Sequence, residues 1–155
     1  LTARQRLEWY KFFRNKFGLH YAVTFVRPHI IDRINIRQAT NLASRLAFLK
    51  LKKSLNSSLG NYEVITDGGL FLGNDIPHKT MIHGDERFNA IKVASIMAKV
   101  TRDRAMVRRH KIYPEYGFKN HKGYGTKEHY EAIFKCGLTN IHRSSFLKNI
   151  KTMRR

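Results

Sequence analysis

Cysteine is nearly absent from this sequence: Cys136 is the single example in 155 residues. One thiol cannot close an internal disulfide, and without a CxxC pair there is no zinc-binding pattern. That usage fits a reducing compartment, so a cytoplasmic location is expected. Long apolar runs are also missing. None approaches the ~18 residues that cross a bilayer, and no secretory signal stands at the start, so no membrane partner is expected. Repeats, low-complexity tracts and linkers are absent too, which leaves one domain over residues 1–155, long enough to bury a core. The last scarcity is acid. Eleven Asp and Glu face 30 Lys and Arg, for a net charge of +19. A field of that size attracts polyanions, and nucleic acid is the leading partner because each neutralised phosphate releases a counterion. The basic residues are interleaved along the whole chain instead of lining one amphipathic helix, which argues against a membrane surface. With 42% apolar and 12% aromatic residues, the chain is not a disordered basic tail.

What is present reads as alternating helices and strands. Thr2-Ala3-Arg4-Gln5 fits a capping box, and Leu7, Tyr10, Phe13 and Phe17 follow at helical spacing, which predicts a helix over 3–17. Residues 20–26 are β-rich and read as a strand, broken by Pro28 and His29. A short turn at 30–33 leads to a helix over about 35–54, and residues 56–61 read as a loop. Residues 62–66 read as a strand ending at Asp67-Gly68-Gly69, and residues 80–83 as another. Helices are expected at 89–110, at about 127–136 and at 143–151. The class is α/β.

Three places carry possible chemistry. Asp67 closes an apolar strand against two glycines, at the sheet edge where α/β proteins bind ligands; Asp-Gly is equally a common turn pair. On a helical projection of residues 89–110 at ~100° per residue, Lys92, Ser95, Lys99 and Arg102 share a polar face. Val93, Ile96, Met97 and Val100 lie opposite, and Asp103 sits at the border. That pattern suits a phosphate-binding face with a carboxylate beside it, and equally a solvated face with Asp103 paired to Lys99. In His121-Lys122-Gly123-Tyr124-Gly125-Thr126, two glycines flank an aromatic among cations. The tyrosine could stack on a sugar or base, or the segment could be a structural turn.

The run Val93-Ala94-Ser95-Ile96-Met97-Ala98-Lys99-Val100-Thr101-Arg102-Asp103 closely resembles the signature helix of ribonuclease HII. Three further stretches match in order: Ile31-Asp32-Arg33-Ile34-Asn35-Ile36, then Tyr113-Pro114-Glu115-Tyr116-Gly117-Phe118 leading into the 121–126 segment, then His142-Arg143-Ser144-Ser145-Phe146. Asp67-Gly68 and Gly84-Asp85 also fall where the family has them. The resemblance spans Leu1 to about Lys148. It implies an RNase H-like fold, with a mixed sheet flanked by helices and a helical C-terminal part over about 127–155. It further implies hydrolysis of RNA in RNA–DNA hybrids, or at ribonucleotides embedded in DNA duplexes, by a monomer. Two divalent ions, Mg²⁺ or Mn²⁺, would be held by four acids, of which Asp67 and Asp103 map onto this sequence. Tyr124 would pack on the sugar at the RNA–DNA junction, Ser95 and Lys99 would face the bound strand, and Lys122, His121 and Arg143 would contact its backbone.

The family's opening Asp-Glu-Ala-Gly-Arg-Gly strand has no counterpart here. The expectation is therefore that these residues are part of a longer enzyme, with two metal ligands and the opening strands supplied elsewhere. His83 stands where many relatives carry Lys before Gly-Asp. Two other classes remain open: a non-catalytic basic RNA- or duplex-binding module, and a metal-binding structural protein built on the eight histidines.

Overall fold

The computed structural model describes residues 1–16, 18–55 and 61–147. Helix α1 spans Ala3–Lys16. Its start is the expected capping box: the Thr2 amide donates to Gln5 Oε1 at 2.8 Å and the Gln5 amide donates to Thr2 Oγ1 at 3.2 Å. Residues 20–26 are not a strand: they form neither helix nor ladder. β-rich composition records a fit to a pleated, half-buried surface and does not itself supply a partner. Here the Thr24 hydroxyl donates instead to the Ala43 carbonyl of the next helix, at 2.7 Å.

That helix, α2, spans Pro28–Leu55 and is interrupted at Asn35 (φ 65°, ψ 168°). Proline opens it instead of blocking it, because the first helical position needs no amide donor. The second leg restarts with Asn35 Oδ1 accepting from the Gln38 amide at 3.1 Å, which is why the sequence signals a helix from about residue 35. Two short parallel strands follow, β1 (Ile65–Asp67) and β2 (Lys79–Met81), with Asp67 opposite Met81. The sheet expected to be mixed is, among the described residues, this parallel pair.

The rest is helical: α3 (Gly84–Arg87), α4 (Asn89–Ile112), α5 (Phe118–His121) and α6 (Lys127–Cys136). A 3₁₀ turn at Pro114–Tyr116 precedes α5, and another at Ser144–Phe146 stands where the last helix was expected. Phe17, residues 56–60 and the remainder of that last helix lie outside the described residues. No helix among the described residues is long and apolar enough to cross a membrane.

Two cores hang on α4. Its buried Ile96, Met97 and Val100 pack against Tyr10 of α1, so the apolar side of the helical projection is the buried side. Beyond its C-terminal end, Tyr116, Phe118 and Ile133 form a second core, with the first two rings stacked at 5.5 Å. Asp32 ties α2 to the C-terminal turn, accepting from the Ser144 and Ser145 amides at 2.8 and 3.0 Å.

Candidate active site

Asp67 stands at the C-terminal end of β1, half-buried. Its Oδ1 accepts from the Gly84 amide at 2.9 Å, while Oδ2 has no hydrogen-bond partner among the described residues. Position 84 has no room for a side chain: a Cβ there would lie 2.5 Å from Ile91 Cδ1 and 3.2 Å from Asp67 Oδ1. The missing side chain lets β1 and the start of α3 touch, and Asp85 is the next residue after that contact.

Asp85 and Glu86 are exposed and line a shallow groove of about 520 Å³ with Lys92, Ser95 and Lys99. The sequence reading noted Gly84-Asp85 and gave it no role. The available signal was the Gly-Asp pair immediately after a strand, at a sheet edge.

Asp103 sits about one turn from Lys99 on α4. Its Oδ1 accepts from Lys99 Nζ at 2.9 Å and lies 3.7 Å from the Arg102 guanidinium. The paired reading of the helix spacing is thus what forms, and no hydrogen bond or ion pair ties Asp103 to Asp67.

Lys99 also donates to the Tyr124 hydroxyl at 3.0 Å. The Lys99 ammonium and the Arg102 guanidinium each lie 4.8 Å from the centre of the Tyr124 ring. Burial pulls the Lys99 ammonium down, but its bonds to Tyr124 and Asp103 hold it above the usual lysine value. The bond from Lys99 lowers the Tyr124 phenol, and Arg102 adds to that against burial. Arg143 sits 3.9 Å over the Phe146 ring. Burial and the neighbouring Arg102 guanidinium lower Arg143 below the usual arginine value, against the pull of Asp32. Lys99, Arg102, Tyr124 and Arg143 therefore form one cationic, aromatic surface.

The 121–126 segment is shaped by its backbone. Lys122 and Gly123 both adopt positive φ (52° and 77°), and a Cβ at Gly123 would lie 2.9 Å from Met106 Cε. The turn leaves Tyr124 53% exposed, available to stack on a ligand. Two predicted contacts are engaged within the fold. Half-buried Lys122 donates to the Lys119 carbonyl. His121 is buried, with Nε2 on the Tyr116 carbonyl at 2.7 Å and Nδ1 accepting from the Gly123 amide at 3.1 Å. Ser95 is exposed in the groove, beside Lys99.

The donor set was compared with the hard cations that the resemblance implies. Asp67, Asp85 and Asp103 offer carboxylate oxygens, the right chemistry for Mg²⁺ or Mn²⁺. They fall short in number at any one point, since no three His, Cys, Asp or Glu side chains converge among the described residues.

A family model described as Ribonuclease HII matches residues 70–149, just over half of the chain. Curated proteins named Ribonuclease HII align along nearly all of it. The one from Clostridioides difficile strain 630 is 44% identical over 150 residues, 97% of this chain and 56% of its own length. That of Alkaliphilus metalliredigens strain QYMF is 40% identical over 151 residues, 97% of this chain and 72% of its own. That of Acholeplasma laidlawii strain PG-8A is 37% identical over 154 residues, 99% of this chain and 72% of its own. The chain thus spans between about half and three quarters of the length of these relatives. The strand-end aspartate, Asp85 and the Lys99–Tyr124 surface all lie within the stretch these alignments cover, and the chain belongs to the ribonuclease HII family.

Proposed function

We propose that this chain supplies one wall of the active site of an endonuclease that cuts RNA–DNA hybrids, or DNA duplexes at embedded ribonucleotides. The observation that carries this reading is the juxtaposition of two chemistries. A strand-end carboxylate, Asp67, is bonded to Gly84, whose neighbour Asp85 lines a groove with Lys99, and Lys99 in turn bonds Tyr124 beside Arg102. Carboxylates collect divalent cations, and cations with an exposed ring collect a sugar-phosphate strand. The fold would be the RNase H-like type, and the working state a cytoplasmic monomer.

Asp67 and Asp85 are the favoured ligands for Mg²⁺ or Mn²⁺. Asp103 would hold one of the two divalent ions only if it released Lys99; otherwise it acts by keeping Lys99 and Arg102 in place. The chemistry supplied there by bound divalent ions is activation of water and stabilisation of the leaving 3′ oxygen. Water adds to phosphorus, the P–O3′ bond breaks, and the products are a 5′-phosphate and a 3′-hydroxyl. Lys99, Arg143 and Lys122 would bind the strand's phosphates, Ser95 would hydrogen-bond along it, and Tyr124 would pack on the sugar. The 2′-hydroxyl would mark the ribonucleotide. His121 would act from within, by holding the turn that presents Tyr124.

The test is cleavage of a labelled DNA duplex with one ribonucleotide, in Mg²⁺ or Mn²⁺. It would use the chain alone and the chain fused to the N-terminal part of the C. difficile relative. Asp67→Asn and Asp85→Asn are expected to lower the rate by about a thousandfold, several kcal/mol of charge stabilisation. Asp103→Asn is expected to lower it ~10–100-fold, as for a residue that orients others. Equal, large losses at Asp67 and Asp103 with none at Asp85 would return the ligand role to Asp103. A second reading, a duplex-binding module without catalysis, is favoured by the +19 charge and by the absence of three converging ligands among the described residues. Salt-sensitive binding with no metal-dependent cutting by any form would support it.

A further inference from the structure

Three histidines that take no direct part in the proposed chemistry lie buried together under the Tyr124 turn. His129 is stacked on His121 at 4.5 Å between ring centres, and its Nε2 is 3.3 Å from His142 Nε2. All three are less than 10% exposed. Their partners fix where the protons sit, because a backbone carbonyl only accepts and a backbone amide only donates. His129 Nδ1 faces the Tyr124 carbonyl at 2.9 Å, so it carries the proton. Its Nε2 is then the acceptor, and His142 Nε2 must donate to it. His142 Nδ1 in turn accepts from the Thr139 amide at 3.0 Å. His121 accepts from the Gly123 amide and donates to the Tyr116 carbonyl.

The result is a chain of neutral imidazoles running from Thr139 to the Tyr124 carbonyl, with a second tether on Gly123. Each remaining acceptor nitrogen already faces a donor. A proton on His129 Nε2 would meet the proton of His142. One on His142 Nδ1 would meet the Thr139 N–H, although the Thr139 hydroxyl at 2.8 Å could turn to accept it.

We infer that His129 and His142 form an acid-sensitive latch that positions Tyr124, with His121 as a second tether beside them: neutral, they tie the turn to the core; protonated, they release it. The inference rests on the reading of Tyr124 as a nucleic-acid contact. No carboxylate acts on His129 or His142, whereas Glu128 Oε1 and His121 Nε2 both flank Gly117. The Tyr116 ring is 5.0 Å from His142, the Tyr130 ring 6.5 Å from His129, and Glu128 is bonded to Asn120 on the exposed side of α6. Arg143 follows His142 in the chain, and Arg102 of α4 acts on Arg143. Burial lowers both His129 and His142 below the ordinary histidine value, and other imidazoles push the same way, His121 on His129 and His129 on His142.

The test follows amide exchange of residues 118–129 against residues 89–112 without nucleic acid, from about pH 7.5 to about 5, corrected for intrinsic rates. Below about 6.5, opening of the 118–129 segment is expected to grow by about tenfold per pH unit for each imidazole kept neutral in the closed form. Parallel pH dependence in the two segments would overturn the latch. In His129→Asn the amide can still donate to the Tyr124 carbonyl and has nothing to titrate. Opening near pH 7.5 should stay within about threefold of the parent while the acid step shrinks by about tenfold per unit. If that variant does not fold, the parent titration decides alone. A second arm measures binding of a fluorescent duplex containing one ribonucleotide over the same range. Acid opening with unchanged affinity would leave the latch standing and remove Tyr124 from the binding surface. Affinity that falls together with opening supports both readings.

Discussion

The residues that follow α4 and the stretch from α2 to β2 sit in very different environments. Beyond the C-terminal end of α4, residues 113–147 close over Tyr116 and Phe118, each at most 2% exposed, and the nitrogens of three histidines are bonded. On the other side, α2 is 28 residues long yet only Ala39 in it is buried, while Ile36, Leu46 and Leu49 are 40–47% exposed. The sheet beside it is two strands of three residues. A two-stranded ladder is marginal by itself. The connection between its strands is held by side chains of α2: Arg45 binds Asp75 at 2.6 and 2.7 Å and the Leu72 carbonyl at 2.6 Å, and Asn41 accepts from the Phe71 amide at 3.0 Å. The difference teaches that the described chain carries its own core under the Tyr124 turn, whereas the strand that ends at Asp67 rests on polar clasps.

The sharpest way to break this contrast is to remove buried volume on each side. Phe118→Ala should destabilise by about 3–5 kcal/mol, whereas Leu46→Ala, already 42% exposed, should change stability by less than about 1 kcal/mol. Urea unfolding measures both, and equal losses would remove the asymmetry. Acid is a gentler probe. His129 and His142 have lowered folded values, so the stability they contribute is complete above the unfolded value near 6.5 and is lost as pH falls from there through the folded values. Thermal melts from about pH 7.5 down to 5 should show the C-terminal side loosening first. Asp32 is the bridge between the two sides. Its bonds to Ser144 and Ser145 lower its carboxyl value, so Asp32→Ala should raise amide exchange at residues 144–146 while leaving 116–133 unchanged. The smallest effect is at the first cap: Thr2→Ala should lower stability by about 1 kcal/mol, read as fraying of α1 in far-ultraviolet dichroism.

How much of this was legible in the sequence varies with distance along the chain. Helices α4 and α6 were readable to within two residues because their apolar spacing and caps are local. The capping box at Thr2 and Gln5 was readable for the same reason, and so was the ending of a strand at Asp67, where two glycines stop it. The ion pair of Lys99 with Asp103 belonged to one of two open readings of a helical projection, and it forms, while the phosphate-binding reading of the same face stands as a proposal. Residues 20–26 were misread, because whether a β-rich segment finds a ladder is decided by what lies beside it.

By itself the sequence determined the charge, the α/β alternation, the two faces of α4 and the motifs that mark the family. Those are properties of composition or of neighbours within a few residues. Only the tertiary structure decided that the Gly84 amide meets Asp67, 17 positions back along the chain. It alone turned His121 inward and joined His129 to His142 across 13 residues. Such pairings are made by packing and by the need to satisfy buried polar atoms, which no local pattern encodes.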